Sequence, residues 1–373
     1  MSHKVVVVGG GFGALEVSLA VRKLRPNASV TVVSDATEVT YRPWLIKVPA
    51  GGQPPPQIPF ATLLAEAHIE VASDRATGID LSSRVITLQS GTTIAYRQLV
   101  IATGAVADRN RVPGARAHAL FPCDLADAGE FAAAVSSSPS TIAVVFGWER
   151  PGPGLEYAAW IAAHRPGSRV IAIDGDGTLE RRFGEKATAR IQRLFERRAA
   201  RLISEGPVVR IDPGSVQLES QTVAADVIAL ATPLTGETGW LPPELLDARG
   251  MLKVDSSMAA SPGVFGIGDV VAVPADYRLS PTLQSIQATS YGIACNVVRA
   301  LDGASPLQVL RTDRPDLMGP DLAGDAVFVR DRRLVMSGRI PLLIRWFMDQ
   351  TYLRRRHAHT PRQPMLAGAS DSR

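Results

Sequence analysis

"VVVVGGGFGALEVS", residues 5–18, carries the strongest structural signal in the chain. Four consecutive valines leave no polar face, so the run reads as a strand buried on both sides in a parallel sheet. Gly9, Gly11 and Ala14 then stand at the G-x-G-x-x-(G/A) positions between that strand and a helix. The first glycine allows the tight turn, and the second lets a pyrophosphate approach the backbone. The third small residue lets helix and strand pack closely, with the helix N-terminus facing the anion. Helical periodicity covers Ala14–Arg25 and stops at Pro26-Asn27.

Ser29–Val33 reads as the next strand, and Gly51–Pro59 as a Pro/Gly-rich surface crossing. Arg84–Gln89 and Thr92–Ala95 flank Ser90-Gly91 as a hairpin, and Leu99–Thr103 is a second buried strand. The pattern restarts at Thr141–Phe146. There "GWERPGPGLE" (147–156) leads into a helix over 155–164, a strand over Arg169–Ile173 and a long Arg-rich helix near 183–202. Strands Val208–Ile211, Ser215–Glu219 and Asp226–Ala231 complete it, and Val264–Gly266 resumes the first unit. A helix over 282–301, short strands over 326–329 and 333–336, and an amphipathic helix over 341–353 follow.

This internal repeat predicts an α/β fold with two doubly wound Rossmann-like nucleotide-binding domains. The second is inserted in the first, and a small C-terminal α/β domain follows. The expected boundaries are 1–122 and 251–303 for the first domain, 123–250 for the insert, 304–356 for the C-terminal domain and 357–373 for a flexible tail.

Bulk composition narrows the function. The net charge is +4, and residues 354–373 alone carry five arginines against Asp371, so the excess sits in the tail. A general nucleic-acid surface is therefore not expected. Two cysteines, Cys123 and Cys295, without a C-x-x-C, argue against a disulfide scaffold or a dithiol centre. Cys295 reads as a buried structural thiol within a helix, and Cys123 lacks an evident partner. No histidine takes a metal-ligand spacing, so no metal is expected. The N-terminus leads straight into a strand without a signal peptide, and no apolar run reaches about 18 residues. The expected location is cytoplasmic, with peripheral contact at the inner face of the membrane compatible.

Three further stretches sharpen the first cradle: "YRPWLIKVPAG" (41–51), "QLVIATGA" (98–105) and "PGVFGIGDVV" (262–271). Together with residues 5–18 they resemble the FAD-dependent pyridine nucleotide-disulfide oxidoreductases. The likeness is strongest to type II NADH dehydrogenases and apoptosis-inducing-factor-like (ferroptosis-suppressor-like) quinone reductases, over roughly residues 4–350. The resemblance implies that Gly9, Gly11, Phe12 and Gly13 hold the FAD pyrophosphate and that Ala76 meets the adenine through its backbone. It implies that Ala102, Thr103 and Gly104 close over the flavin, and that Gly268 and Asp269 meet the ribityl chain or nearby phosphate oxygens. Arg42 and Pro43 join the same cofactor-binding set. Members of the family usually end the second strand with an acid on the adenosine ribose. Here Ser34 follows Val33 and Asp35 comes one residue late, so either could serve.

In the family the second turn reads G-x-G-x-x-G-x-E. Gly154 and Glu156 fill its last two marked positions, whereas Gly147 falls two residues early. Pro151 and Pro153 remove two N–H donors from a phosphate nest. Asp174 closes the second strand of this unit and is the residue type for an NADH ribose diol. Arg181 and Arg182 would instead favour the 2′-phosphate of NADPH, and Pro233 replaces a family glycine in "LATPLTG". Two readings stay open, a modified nicotinamide site and a vestigial fold of the kind found in sulfide-oxidising flavin enzymes.

The implied reaction is hydride transfer from NADH (or NADPH) to FAD, with electrons passed on to a quinone or another small-molecule acceptor. By resemblance, Gln284 is the glutamine presented toward a quinone, and Glu156 completes the catalytic set. A flavin enzyme acting on a soluble substrate or electron carrier, and a non-catalytic flavin-binding module, are the alternatives. "PLLIRWFMDQTYLRRR" (341–356) places Leu343, Trp346, Phe347 and Leu353 at spacings compatible with one helical face ahead of Arg354–Arg356. That pattern suits a helix lying in a membrane interface. Packing on its own domain or on the partner in a homodimer is equally compatible.

Overall fold

The computed structural model describes residues 4–148, 150–277, 279, 282–312 and 317–359. The expected 357–373 tail lies almost entirely outside the described residues. The chain forms two compact units: one of residues 1–39, 58–106 and 235–314, the other of residues 40–57, 107–234 and 315–373. The fold is α/β with two Rossmann-like parallel sheets, as the repeat predicts.

The first unit is built on a six-stranded sheet in the spatial order 259–261, 264–266, 98–101, 4–8, 29–33, 70–72. All neighbours are parallel except the short edge pair Ala259–Ser261 and Val264–Gly266. Val5, Val6 and Val7 are fully buried. Each contributes about 1.5 kcal/mol or more by leaving water, which is why the sequence puts no polar residue there. Strand order reverses at Lys4–Val8, with the second strand on one side and Gln98–Ile101 on the other. That reversal opens a crevice at the carboxyl ends of the strands. The helix Phe12–Leu24 begins in that crevice and packs against Leu283–Leu301.

The second unit repeats the plan with a four-stranded parallel sheet in the order 201–203, 169–174, 141–146, 227–230. Its helix Pro151–His164 starts four residues earlier than expected, because proline is tolerated in a first helical turn. The Arg-rich helix expected near 183–202 is the helix Glu185–Arg197, five residues shorter at its C-terminal end, and a separate helix that the sequence reading lacks, Thr178–Phe183, precedes it. Gly184 separates them at φ +78°, where a β-carbon would lie 2.1 Å from the Arg332 carbonyl oxygen. Residues 317–359 of this unit form a three-stranded antiparallel sheet followed by the helix Arg339–Arg355.

Candidate cofactor sites

The first cradle lies where the sequence places it. Gly9 has φ +138°, and its N–H donates to the Val33 carbonyl at 3.0 Å. A β-carbon at Gly9 would lie 2.3 Å from the Ala102 carbonyl oxygen, so the turn closes directly onto the end of the strand Gln98–Ile101. A β-carbon at Gly13 would sit 3.2 Å from Ile267 Cγ2, the close helix packing that the motif anticipates. Gly11 caps the helix with no side-chain oxygen and faces open space, leaving the first turn suited to an anion. Thr103 and Gly104 follow the strand at the same end, and Gly104 also borders open space at φ +80°.

Two side chains test whether this cradle fits FAD. The Thr103 hydroxyl is buried yet has no hydrogen-bond partner among the described residues. A buried orphan hydroxyl costs on the order of 1–3 kcal/mol unless something bonds it. A polar cofactor at the mouth of the Gly9–Gly13 turn supplies that partner, so the residues fit. Asp269 is half-buried in the single 3-10 turn Gly268–Val270 that follows the strand Val264–Gly266, at the same sheet end.

At the adenosine end both sequence options have local partners. Ser34 is buried, and its Oγ accepts from the Ala36 N–H at 3.0 Å, forming a local turn. Asp35 turns outward and pairs with Arg75 Nε at 2.9 Å, more than half exposed. Ala76 opens the antiparallel strand Ala76–Asp80 beside it. Gln284 sits exposed in the first turn of Leu283–Leu301, where Thr282 Oγ1 accepts from the Ser285 N–H as N-cap. All these residues belong to the first unit, whereas Arg42 and Pro43 belong to the second, in the 3-10 segment Arg42–Lys47.

The second cradle keeps the strand–turn–helix frame and spends its amides internally. The Gly147 N–H donates to Thr232 Oγ1 at 3.0 Å, and the same hydroxyl donates back to the Gly147 carbonyl. The Trp148 N–H goes to Asp176 Oδ1 at 2.9 Å, and the Arg150 N–H returns to the Gly147 carbonyl. Gly154 is the packing glycine: a β-carbon there would lie 2.4 Å from Phe146 Cβ and 3.1 Å from Ala231 Cβ. Gly152 borders open space and carries the one amide left in a first turn whose first and third residues are proline, since the Gly154 N–H, as fourth helical residue, faces the N-cap carbonyl of Arg150. Asp174 is buried at the end of its strand. Its two oxygens accept from the Thr178 and Leu179 N–H groups at 3.0 and 2.8 Å. Burial raises its carboxyl above the usual range, against the pull of those two amides. Arg181 is drawn to Asp176 rather than toward a phosphate, at 2.9 Å.

Glu156 is the largest surprise. It is buried, and its carboxylate accepts from Arg345 Nη1 and from the Asp321 N–H at 2.7 Å. Arg345 Nη1 also reaches the Gly319 carbonyl at 2.8 Å. Burial raises the Glu156 carboxyl most, with Arg345 and the Asp321 amide pulling it back. Close by, Tyr41 OH donates to Asp349 Oδ1 at 2.6 Å. The Lys47 ammonium sits 3.6 Å over the Trp44 ring, and burial lowers its pKa. The glutamate therefore ties the helix Pro151–His164 to the C-terminal segment of its own unit.

Sequence reading missed Arg345, Asp321, Tyr41, Thr232 and Trp148, because each acts through a contact distant in the chain. Cys123 and Cys295 are both half-buried and form no disulfide, so Cys295 is less enclosed than its apolar context suggests. Among the described residues no cluster of His, Cys, Asp and Glu suits a metal.

Comparison with known proteins agrees with this architecture. Residues 3–291 match the model of the pyridine nucleotide-disulphide oxidoreductase family. The ferredoxin–NAD(+) reductase component of the biphenyl dioxygenase system of Paraburkholderia xenovorans is 31% identical over 294 residues, covering 74% of this chain and 69% of that protein. An NADH dehydrogenase-like protein of Mycobacterium tuberculosis is 25% identical over 338 residues, covering 83% of each chain. The solved sulfide:quinone oxidoreductase of Aquifex aeolicus superposes with a TM-score of 0.80 at 21% identity, covering 95% of this chain and 91% of that one. With one glycine-rich turn at the reversal point of each parallel sheet, and the match running through both, this chain belongs to the pyridine nucleotide-disulphide oxidoreductase family.

Proposed function

We propose that this chain is a flavoenzyme that oxidises NAD(P)H and passes the electrons to a quinone held in a lipid surface. Bound FAD supplies the two-electron chemistry; the chain's own residues bind, orient and shield it. The Gly9–Gly13 turn and the first turn of Phe12–Leu24 receive its pyrophosphate, and the Thr103 hydroxyl finds its partner on the cofactor. Gly152 offers the pyridine nucleotide the one amide left at the second helix N-terminus.

The observation that carries the quinone reading is the outward face of Arg339–Arg355. Ile340, Leu343, Trp346 and Phe347 are 65%, 63%, 52% and 66% exposed, with Ile344 and Met348 beside them. The opposite face buries Tyr352 and turns Arg345 and Asp349 inward to Glu156 and Tyr41. Leu353 is buried although it lies two turns beyond the exposed Trp346 on nearly the same line, so it leaves the exposed stripe assigned to it from sequence through its place near the helix end. An apolar surface followed by Arg354, Arg355 and Arg356 suits an anionic lipid interface. No helix among the described residues is long and apolar enough to cross a membrane. Relatives named as a sulfide-quinone reductase and an alternative NAD(P)H-ubiquinone oxidoreductase support a quinone acceptor. The ferredoxin reductase relative supports a second reading, a soluble electron carrier.

Two measurements test this. NADH added anaerobically to flavin-loaded protein should bleach the flavin, and a quinone analogue should restore its colour. Bleaching that quinone does not reverse, but a ferredoxin-type carrier does, selects the second reading. The paired change Leu343→Glu, Phe347→Glu should reduce binding to anionic vesicles by on the order of tenfold, since two exposed apolar side chains that would enter the lipid interface become charged. Equal sedimentation of both proteins would remove the membrane from the proposal.

Asp269→Ala should yield protein largely free of flavin, because the polar group that ends the Val264–Gly266 strand faces the same sheet end as the glycine turn. Flavin-to-protein absorbance after purification reads this directly. Full occupancy would assign the cofactor contact elsewhere.

A further inference from the structure

We propose that Trp148 controls the access of pyridine nucleotide to the second nucleotide fold; this rests on NAD(P)H being the electron donor. In a doubly wound unit the adenosine ribose lies against the end of the second strand. Here that strand ends at Asp174, and the indole of Trp148 covers the next residue. A β-carbon at Gly175 would lie 2.4 Å from Trp148 Cη2 and 2.9 Å from Cζ3, so the ring edge rests directly on the Gly175 backbone. Trp148 is held there by its own N–H on Asp176 Oδ1, at a positive φ of 50°. The preceding residue is fastened on both its N–H and its carbonyl to the Thr232 hydroxyl.

The indole, rather than an acid on the ribose, therefore occupies the strand end. Asp174 is spent on two amides of its own chain, as described above. A dinucleotide settling on this edge must turn the ring off Gly175 and give up its packing there, while the Trp148 backbone N–H keeps its hydrogen bond to Asp176. Trp148 is thus a specificity-determining residue: its bulk sets how tightly the adenosine half is taken.

The test uses full-length, flavin-loaded protein. Wild type, Trp148→Ala and Trp148→Phe are titrated calorimetrically with NAD+ and with ADP-ribose, and flavin content and melting are checked for each. Trp148→Ala should bind both ligands about tenfold more tightly, with Trp148→Phe between it and wild type. Anaerobic NADH should also reduce the alanine variant faster at limiting concentration. Unchanged or weaker binding by a folded, flavin-loaded Trp148→Ala, while NADH still reduces wild type, overturns the role of Trp148 alone. Failure of NADH to reduce either protein, with no NAD+ binding, overturns the donor reading and this inference together.

Discussion

Glu156→Ala should lower the unfolding free energy of this protein by about 3–5 kcal/mol, the range found when one partner of a buried ion pair is removed. The change leaves the Arg345 guanidinium buried without its carboxylate and the Asp321 N–H without an acceptor. Burial by itself lowers the Arg345 pKa, and Glu156, Asp349 and Asp321 together hold it above its ordinary value. Deleting the glutamate removes one of the three. Glu156→Gln retains an oxygen for the amide and should cost less. Urea unfolding followed by far-UV circular dichroism measures both. If Glu156→Ala unfolds within about 0.5 kcal/mol of wild type, a surface-like margin, the pair is not structural. A loss of turnover without a loss of stability would return Glu156 to the catalytic role that its motif position suggests.

Gly9→Ala should prevent accumulation of flavin-loaded protein. The residue holds φ +138°, which a side chain rarely adopts, and the new methyl would meet the Ala102 carbonyl at 2.3 Å. Strain of this kind and overpacking each cost on the order of 1–3 kcal/mol, so the expected loss is on the order of 3 kcal/mol or more. The added carbon also pushes the turn away from the end of Gln98–Ile101, displacing the amides proposed to receive the pyrophosphate. Gly11→Ala is the control, because no atom lies within 4 Å of the β-carbon it would introduce. It should fold like wild type and lose flavin affinity alone, by crowding the ligand. Thermal melting with and without added FAD separates the two effects. A Gly9→Ala protein that melts like wild type and carries full flavin would place the cofactor away from this turn.

Gly9, Gly11 and Ala14, the unbroken valine run and the restart at Thr141 were enough to read two dinucleotide folds from the chain alone. Those signals are local: a strand buried on both faces, a turn that only glycine can make and a helix packed on its strand all lie within about 14 residues. Tertiary structure decided the rest. Asp35, a candidate for the ribose acid, has a partner in Arg75, 40 residues away, that no local pattern announces. The loop at Gly147 kept its family frame, but Thr232 and Asp176 consumed its amides. The helix expected from 183 starts only after Gly184, where the Arg332 carbonyl approaches, and ends at Arg197 rather than 202. Glu156 carries a motif position, yet its meaning comes from Arg345, 189 residues further on. The last helix shows the division most plainly. Its sequence specifies an apolar stripe and a polar stripe, but not which of them faces inward. Glu156 and Tyr41 anchor Arg345 and Asp349 on the inner side and leave Leu343 and Phe347 in water. Periodicity is a property of neighbours along the chain. The partner that neutralises a buried charge is chosen only when distant segments meet.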